Sequence, residues 1–89
     1  MWTVILTSDA QRQYDKHASR STLKATVDKI LERLATEPLA PGNKLKALTG
    51  PLSGLYSRRI DSVNRVVYSV DHGIVTVRVI SVWGHYGDT

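Results

Sequence analysis

From Leu55 to Val82 the sequence runs as three β-patterned stretches, Leu55–Ile60, Arg65–Val70 and Ile74–Val82. Only two short breaks separate them, Asp61–Asn64 and Asp71–Gly73, and both are rich in turn-forming residues. Connections this short join neighbouring antiparallel strands and leave no room for a crossover helix. The C-terminal third is therefore expected to be an antiparallel meander, a sheet that must find something to cover one face.

The upstream sequence supplies the cover. Trp2, Val4 and Leu6 alternate with Thr3, Ile5 and Thr7, which predicts a first strand. Ser8 with Gln11 has the spacing of a helix capping box, and Ala10, Tyr14 and Ala18 would share one face of a short helix that breaks near Ala18–Arg20. Leu23, Val27, Ile30, Leu31 and Leu34 recur at helical spacing, so a second helix turns one stripe to a core. Pro38 stops it near Glu37, and Pro38 to Asn43 forms a loop. Residues 44–53 match no single period, although Gly50-Pro51 marks a turn. The predicted fold is α+β, ordered β-α-α-β-β-β, an antiparallel sheet with two helices packed on one face, in a single domain spanning residues 1–89. The other face of the sheet is left for solvent or a ligand.

Charge narrows the choice of ligand. Residues 1–43 carry six basic and five acidic side chains. Residues 44–78 carry six basic ones (Lys44, Lys46, Arg58, Arg59, Arg65 and Arg78) against Asp61 and Asp71 alone. A basic half on a small domain favours a polyanionic partner. The absence of cysteine rules out disulfides and thiolate metal sites and fits a cytoplasmic protein. Met1 to Thr7 enters an apolar segment directly, so no secretory leader is expected, and no run is long enough to span a membrane. There is no glycine-rich phosphate loop, no His-x-x-x-His pair and no acid cluster suited to magnesium, so no metal or cofactor is expected.

Side chains suited to phosphate chemistry concentrate late in the chain. Arg58 and Arg59 point to opposite sides of a strand, and Arg65 opens the next one after a short turn. Arginine forks bind phosphate and keep their charge at any working pH. Of three histidines, His17 is expected on a helix surface and His72 in a turn, whereas His85 follows the last strand within Trp83-Gly84-His85-Tyr86. A histidine beside arginines can move a proton at neutral pH, and together they suggest phosphodiester chemistry. The plainer alternative is an arginine pair on a solvated strand edge and a terminal histidine with no role.

The block Leu52-Ser53-Gly54-Leu55-Tyr56-Ser57-Arg58-Arg59-Ile60, followed by Asn64-Arg65-Val66-Val67-Tyr68 and by Gly84-His85-Tyr86, resembles the YoeB/Txe branch of the RelE-superfamily toxins. The resemblance covers essentially the whole chain and extends to its length and element order. It implies a toxin of a toxin–antitoxin pair that enters the ribosomal A site and cuts the bound messenger RNA. The RNA's own 2′-hydroxyl attacks, no metal takes part, and the products carry a 2′,3′-cyclic phosphate and a 5′-hydroxyl. The implied partners are an acidic cognate antitoxin, the ribosome with its messenger RNA, and operator DNA through the toxin–antitoxin complex alone; a homodimer is left open. By position, Arg65 would bind the scissile phosphate, with Arg59, and by charge Arg58 and Lys44, contributing to phosphate binding. His85 would protonate the departing 5′-oxygen and Tyr86 would orient the substrate. The sequence departs from this pattern at the general base. A glutamate stands a few residues before the Leu-Ser-Gly block in the family, but Lys46 stands there here, with Lys44 two residues earlier and no acid from Asn43 to Ser57. The RelE branch uses lysines in this region, so Lys46, with Lys44, is the expected base. The competing expectation is a RelE-fold protein that binds antitoxin, ribosome or RNA with little or no catalysis.

Overall fold

The computed structural model describes residues 1–84. Its elements are β1 (Thr3–Leu6), α1 (Ser8–Lys16), a single 3₁₀ turn (Ala18–Arg20), α2 (Lys24–Thr36), β2 (Lys46–Ala47), a second 3₁₀ turn (Gly50–Leu52), β3 (Tyr56–Arg59), β4 (Arg65–Asp71) and β5 (Thr76–Ser81). The five strands form one sheet in the order β1-β5-β4-β3-β2.

The helices end where local chemistry stops them. Asp9 in the first turn of α1 and Lys16 in its last suit the helix dipole. The cap is Thr7, one residue earlier than the Ser8–Gln11 box predicts. Its hydroxyl accepts from the Ala10 amide (3.2 Å) and donates to the Ile80 carbonyl (3.3 Å), so β5 helps choose the cap. Gln11 bonds Asp15 on the surface instead. The 3₁₀ turn marks the break expected near Ala18–Arg20. α2 runs to Thr36, with Glu37 as its C-cap, one residue before Pro38.

Val27, Ile30 and Leu34 from α2 and Ala10 from α1 are buried against Val66, Tyr68, Val77, Val79 and Val82. Each such aliphatic side chain contributes about 1.5–3 kcal/mol by leaving water. Two helices on one face of a sheet is the predicted layering, and β2 to β5 run antiparallel as predicted. The sheet is mixed, however, because β1 lies parallel to β5, with Val4 opposite Val77 and Leu6 opposite Val79. The two helices supply the long crossover that a parallel neighbour requires.

Two details of the meander differ from the expected runs. Between Tyr68 and Val67 of β4 the partner strand advances from Val79 to Ser81, a bulge that sharpens the local twist. The turn after β4 extends to Val75, where the Asp71 carboxylate accepts from the Gly73 and Ile74 amides (2.9 and 3.3 Å). Val75 then adopts a left-handed φ of 49°, costly for a β-branched residue, while its carbonyl accepts from Thr3 of β1 (3.0 Å).

Candidate nucleic-acid interface

β3 and β4 bring the arginines together. Their register sets Arg59 directly opposite Arg65. Strand alternation turns both away from Arg58, which faces the helices. Lys46 of β2 lies opposite Ser57 and therefore on the same open face as Arg59. Arg78 of β5 pairs with Ser69 on that face, roughly 13 Å further along β4 from Arg65.

Like charges directly opposed across a strand pair repel and are destabilising. Such an arrangement ordinarily carries a carboxylate between the two cations. Among the described residues the ion pairs are Arg12–Asp9 (2.5 Å) and Lys24–Asp28 (2.7 Å), both within helices. Neither touches this face. Arg59 Nε is buried with no hydrogen-bond partner among the described residues. That face thus presents two opposed arginine forks, flanked by Lys46, without an ion-pair partner among the described residues. Its chemistry suits an anion with several oxygens.

Lys44 and Lys46 are both exposed, and the backbone delivers them in an unusual way. Gly42, Asn43 and Lys44 have φ of 136°, 51° and 51°, so the loop turns through three consecutive positive-φ residues before β2 begins. Gly42 is the residue type such a φ needs, and asparagine tolerates the left-handed region better than most. The Asn43 carbonyl accepts from the Arg59 amide at 2.7 Å, which ties the two lysines to the arginine strand.

Arg58 requires a correction, because it does not bind phosphate. It is fully buried, 0 % exposed, on the helix side of the sheet. Its Nε donates to Tyr68 Oη (3.0 Å), its Nη1 to the Gly42 carbonyl (2.8 Å), and its Nη2 to the carbonyls of Glu37 (3.4 Å), Pro38 (3.0 Å) and Ala40 (2.7 Å). The Tyr68 hydroxyl donates in turn to Pro38 O (2.6 Å), and burial raises its pKa above the ordinary tyrosine value. The guanidinium thus gathers the carbonyls that follow the negative end of α2, a core cation each of whose three nitrogens donates to protein oxygen.

The remaining candidates divide. His17 sits past the end of α1, exposed and stacked on Trp83 (ring centroids 6.2 Å, planes 8° apart). His72 lies in the β4–β5 turn with its ring edge-on to Trp2 (5.3 Å). His85 and Tyr86 lie outside the described residues. The chain is described as far as Gly84, and Gly84 is fastened beside Arg65: its carbonyl accepts from the Arg65 amide (3.2 Å) and its amide donates to Asn64 Oδ1 (2.9 Å). Asn64 was legible as a turn residue and as part of the motif that carries the resemblance, but nothing in its local sequence signals a partner twenty residues away. Among the described residues no group of three or more His, Asp or Glu side chains could hold a metal ion, and no helix is long and apolar enough to cross a membrane.

Fold and face together define a small α+β domain with arginines gathered on one sheet face. The sequence matches, over residues 7–86, the family described as the YoeB-like toxin of bacterial type II toxin–antitoxin systems, and the chain belongs to that family. Toxin YoeB of Streptomyces coelicolor is 35% identical over 65 residues, which span 70% of this chain and 77% of that protein. A YoeB/ParE toxin from Agrobacterium tumefaciens has a similar fold, with a TM-score of 0.84 at 24% identity over 94% of this chain and 99% of that one. The RelBE2 toxin–antitoxin complex from Mycobacterium tuberculosis contains a chain that superposes with a TM-score of 0.73 at 29% identity, covering 94% and 98% of the two chains.

Proposed function

We propose that this toxin is a ribosome-dependent messenger RNA endoribonuclease that cleaves by attack of the RNA's own 2′-hydroxyl. The observation that carries the reading is the opposed Arg59–Arg65 pair, left without a carboxylate among the described residues and flanked by Lys46 on one open face. Two forks facing one another pair naturally with the non-bridging oxygens of a phosphodiester.

In the reaction, Lys46, assisted by Lys44, takes the proton of the 2′-hydroxyl. A lysine does this only in its neutral form. The 2′-oxygen forms a bond to phosphorus as the bond to the 5′-oxygen breaks. Arg65 stabilises the negative charge that builds on the phosphoryl oxygens, and Arg59 holds the same phosphate or its neighbour. His85 donates a proton to the departing 5′-oxygen, and Tyr86 orients the adjoining nucleotide by stacking. The products are a 2′,3′-cyclic phosphate and a 5′-hydroxyl, and every proton is exchanged with side chains, so no metal is required. The ribosomal A site is the place of action, which puts the protein in the cytoplasm. An acidic antitoxin segment neutralises the same cationic face, and operator DNA is bound through the resulting complex.

The test is messenger RNA cleavage in a purified translation system. Wild type is expected to cut within A-site codons, and His85→Ala and Arg65→Ala to abolish the cuts. A wild-type chain that binds ribosomes and leaves the messenger intact refutes the nuclease reading and makes the chain a non-catalytic binding protein.

A further inference from the structure

The segment leaving β5 is held from two sides by side-chain amides. On the helix side, Gln13 Oε1 accepts from the Val82 amide (2.9 Å) and from the Ser81 hydroxyl (3.0 Å). On the turn side, Asn64 Oδ1 accepts from the Gly84 amide (2.9 Å), and the Gly84 carbonyl accepts from the backbone of Arg65 (3.2 Å). Gly84 needs its freedom here, since its φ is 77°. The Asn64 amide is itself oriented. Its backbone NH and its Nδ2 donate to Asp61 Oδ1 (2.7 and 3.2 Å), which leaves Oδ1 turned to Gly84. Asp61 is fixed in turn by the Val63 amide (2.9 Å), and these backbone donors hold its carboxyl below the usual aspartate range. Asn64 is 9 % exposed, so water competes poorly for the latch.

A turn residue seldom needs a buried side-chain bond to a chain end. This one places Gly84 against the backbone of the arginine proposed to hold the scissile phosphate, and the next residue in the chain is His85. We propose that Asn64 is a positioning residue: through Gly84 it fixes where the chain leaves the sheet relative to Arg65, the arginine proposed to hold the scissile phosphate. The proposal rests on the nuclease reading for its catalytic consequence, while the latch itself is a property of the free protein.

The experiment therefore has two arms. The first needs no RNA. Amide hydrogen exchange is measured on wild type and Asn64→Ala, and Gly84 is expected to exchange at least about tenfold faster in the variant while Val77 and Val79 in the central strand stay protected. Unchanged Gly84 protection overturns the latch. Should Asn64→Ala fail to fold, Asn64→Ser, whose hydroxyl is too short to reach the Gly84 amide, is expected to lose the protection; a folded Asn64→Ser in which Gly84 stays protected overturns the latch equally. The second arm measures cleavage of ribosome-bound messenger. Asn64→Ala is expected to lose roughly 10- to 100-fold in kcat, the scale of a misplaced catalytic group, with KM moved less than about threefold. A KM that rises as kcat falls overturns the positioning role. A wild-type protein that does not cleave refutes the nuclease reading and leaves the exchange arm to judge the latch.

Discussion

Arg58 and Arg59 are the same residue type, adjacent in one strand, and the fold gives them opposite fates. Arg58 enters the helix-covered side and disappears, its guanidinium bonded to Tyr68 and to the carbonyls of residues 37–42. Arg59 turns to the open side, faces Arg65, and has no carboxylate partner among the described residues. The contrast separates two ways of holding a cation. On the covered face, fixed carbonyl dipoles replace water and the charge becomes structural. On the other face the charges have no ion-pair partner among the described residues and repel across the strands, a local cost that a phosphate would relieve.

The largest expected effect breaks the covered side. Arg58→Ala removes a fully buried side chain and strands the Tyr68 hydroxyl and several carbonyls, so it should cost about 3–5 kcal/mol. That is a large share of the roughly 5–15 kcal/mol available to a domain of this kind. Urea denaturation checks it, and a variant as stable as wild type would undo the structural assignment. On the open side, Arg65→Ala should fold normally yet lose about 3–4 kcal/mol of transition-state stabilisation, read as kcat/KM for messenger cleavage. If Arg65→Ala unfolds the protein instead, the two faces do not differ as described.

A smaller effect sharpens the comparison. Arg59→Ala should leave stability within about 0.5 kcal/mol of wild type, or raise it slightly by relieving the opposed charges. Its RNA affinity should fall together with the salt dependence. With Lys46, Arg59 and Arg65 each neutralising a phosphate, log K against log salt should slope at about −2 for single-stranded RNA, and Arg59→Ala should flatten it by about 0.7. An unchanged slope would place the RNA elsewhere.

The smallest effect concerns pH. Asp28 is held below the usual aspartate range by hydrogen bonds from Lys24 and then Tyr14, and Asp61 by the amides of Asn64 and Val63. A carboxylate with a depressed folded-state pKa contributes stability above its unfolded value, and that contribution is lost as pH falls through the folded value. Melting temperature should therefore decline mildly below about pH 4, and Asp61→Asn should decline less steeply than wild type. Both residues are largely solvated, so screening keeps the change modest. Parallel profiles would show that Asp61 does not contribute.

Local pattern was enough for the α2 stripe, the break near Ala18, the stop before Pro38 and the turn at Asp61–Asn64, because each depends on neighbours within a few residues, whereas the turn after β4 runs two residues further than predicted. It misplaced the α1 cap by one residue because Thr7 also bonds β5, and it could not assign β2, a two-residue strand defined by its partner. For the candidate site, Arg59, Arg65 and the lysines were legible as a basic half of the chain, whereas Arg58 was misread. Alternation says that two adjacent arginines part, but not which side becomes the interior.

The sequence by itself determined the two helices and every strand but β2, that one sheet face would be covered by helices, and that positive charge would gather in the second half of the chain. These follow from local spacing and composition, which need no partner to be known. Only the tertiary structure decided that β1 lies parallel to β5, that Arg58 is a core clamp while Arg59 meets Arg65, and that Asn64 fastens Gly84 beside that pair. Each is a contact between residues far apart in the chain or on different strands. Such contacts come from closing the whole sheet at once, and no local pattern encodes them.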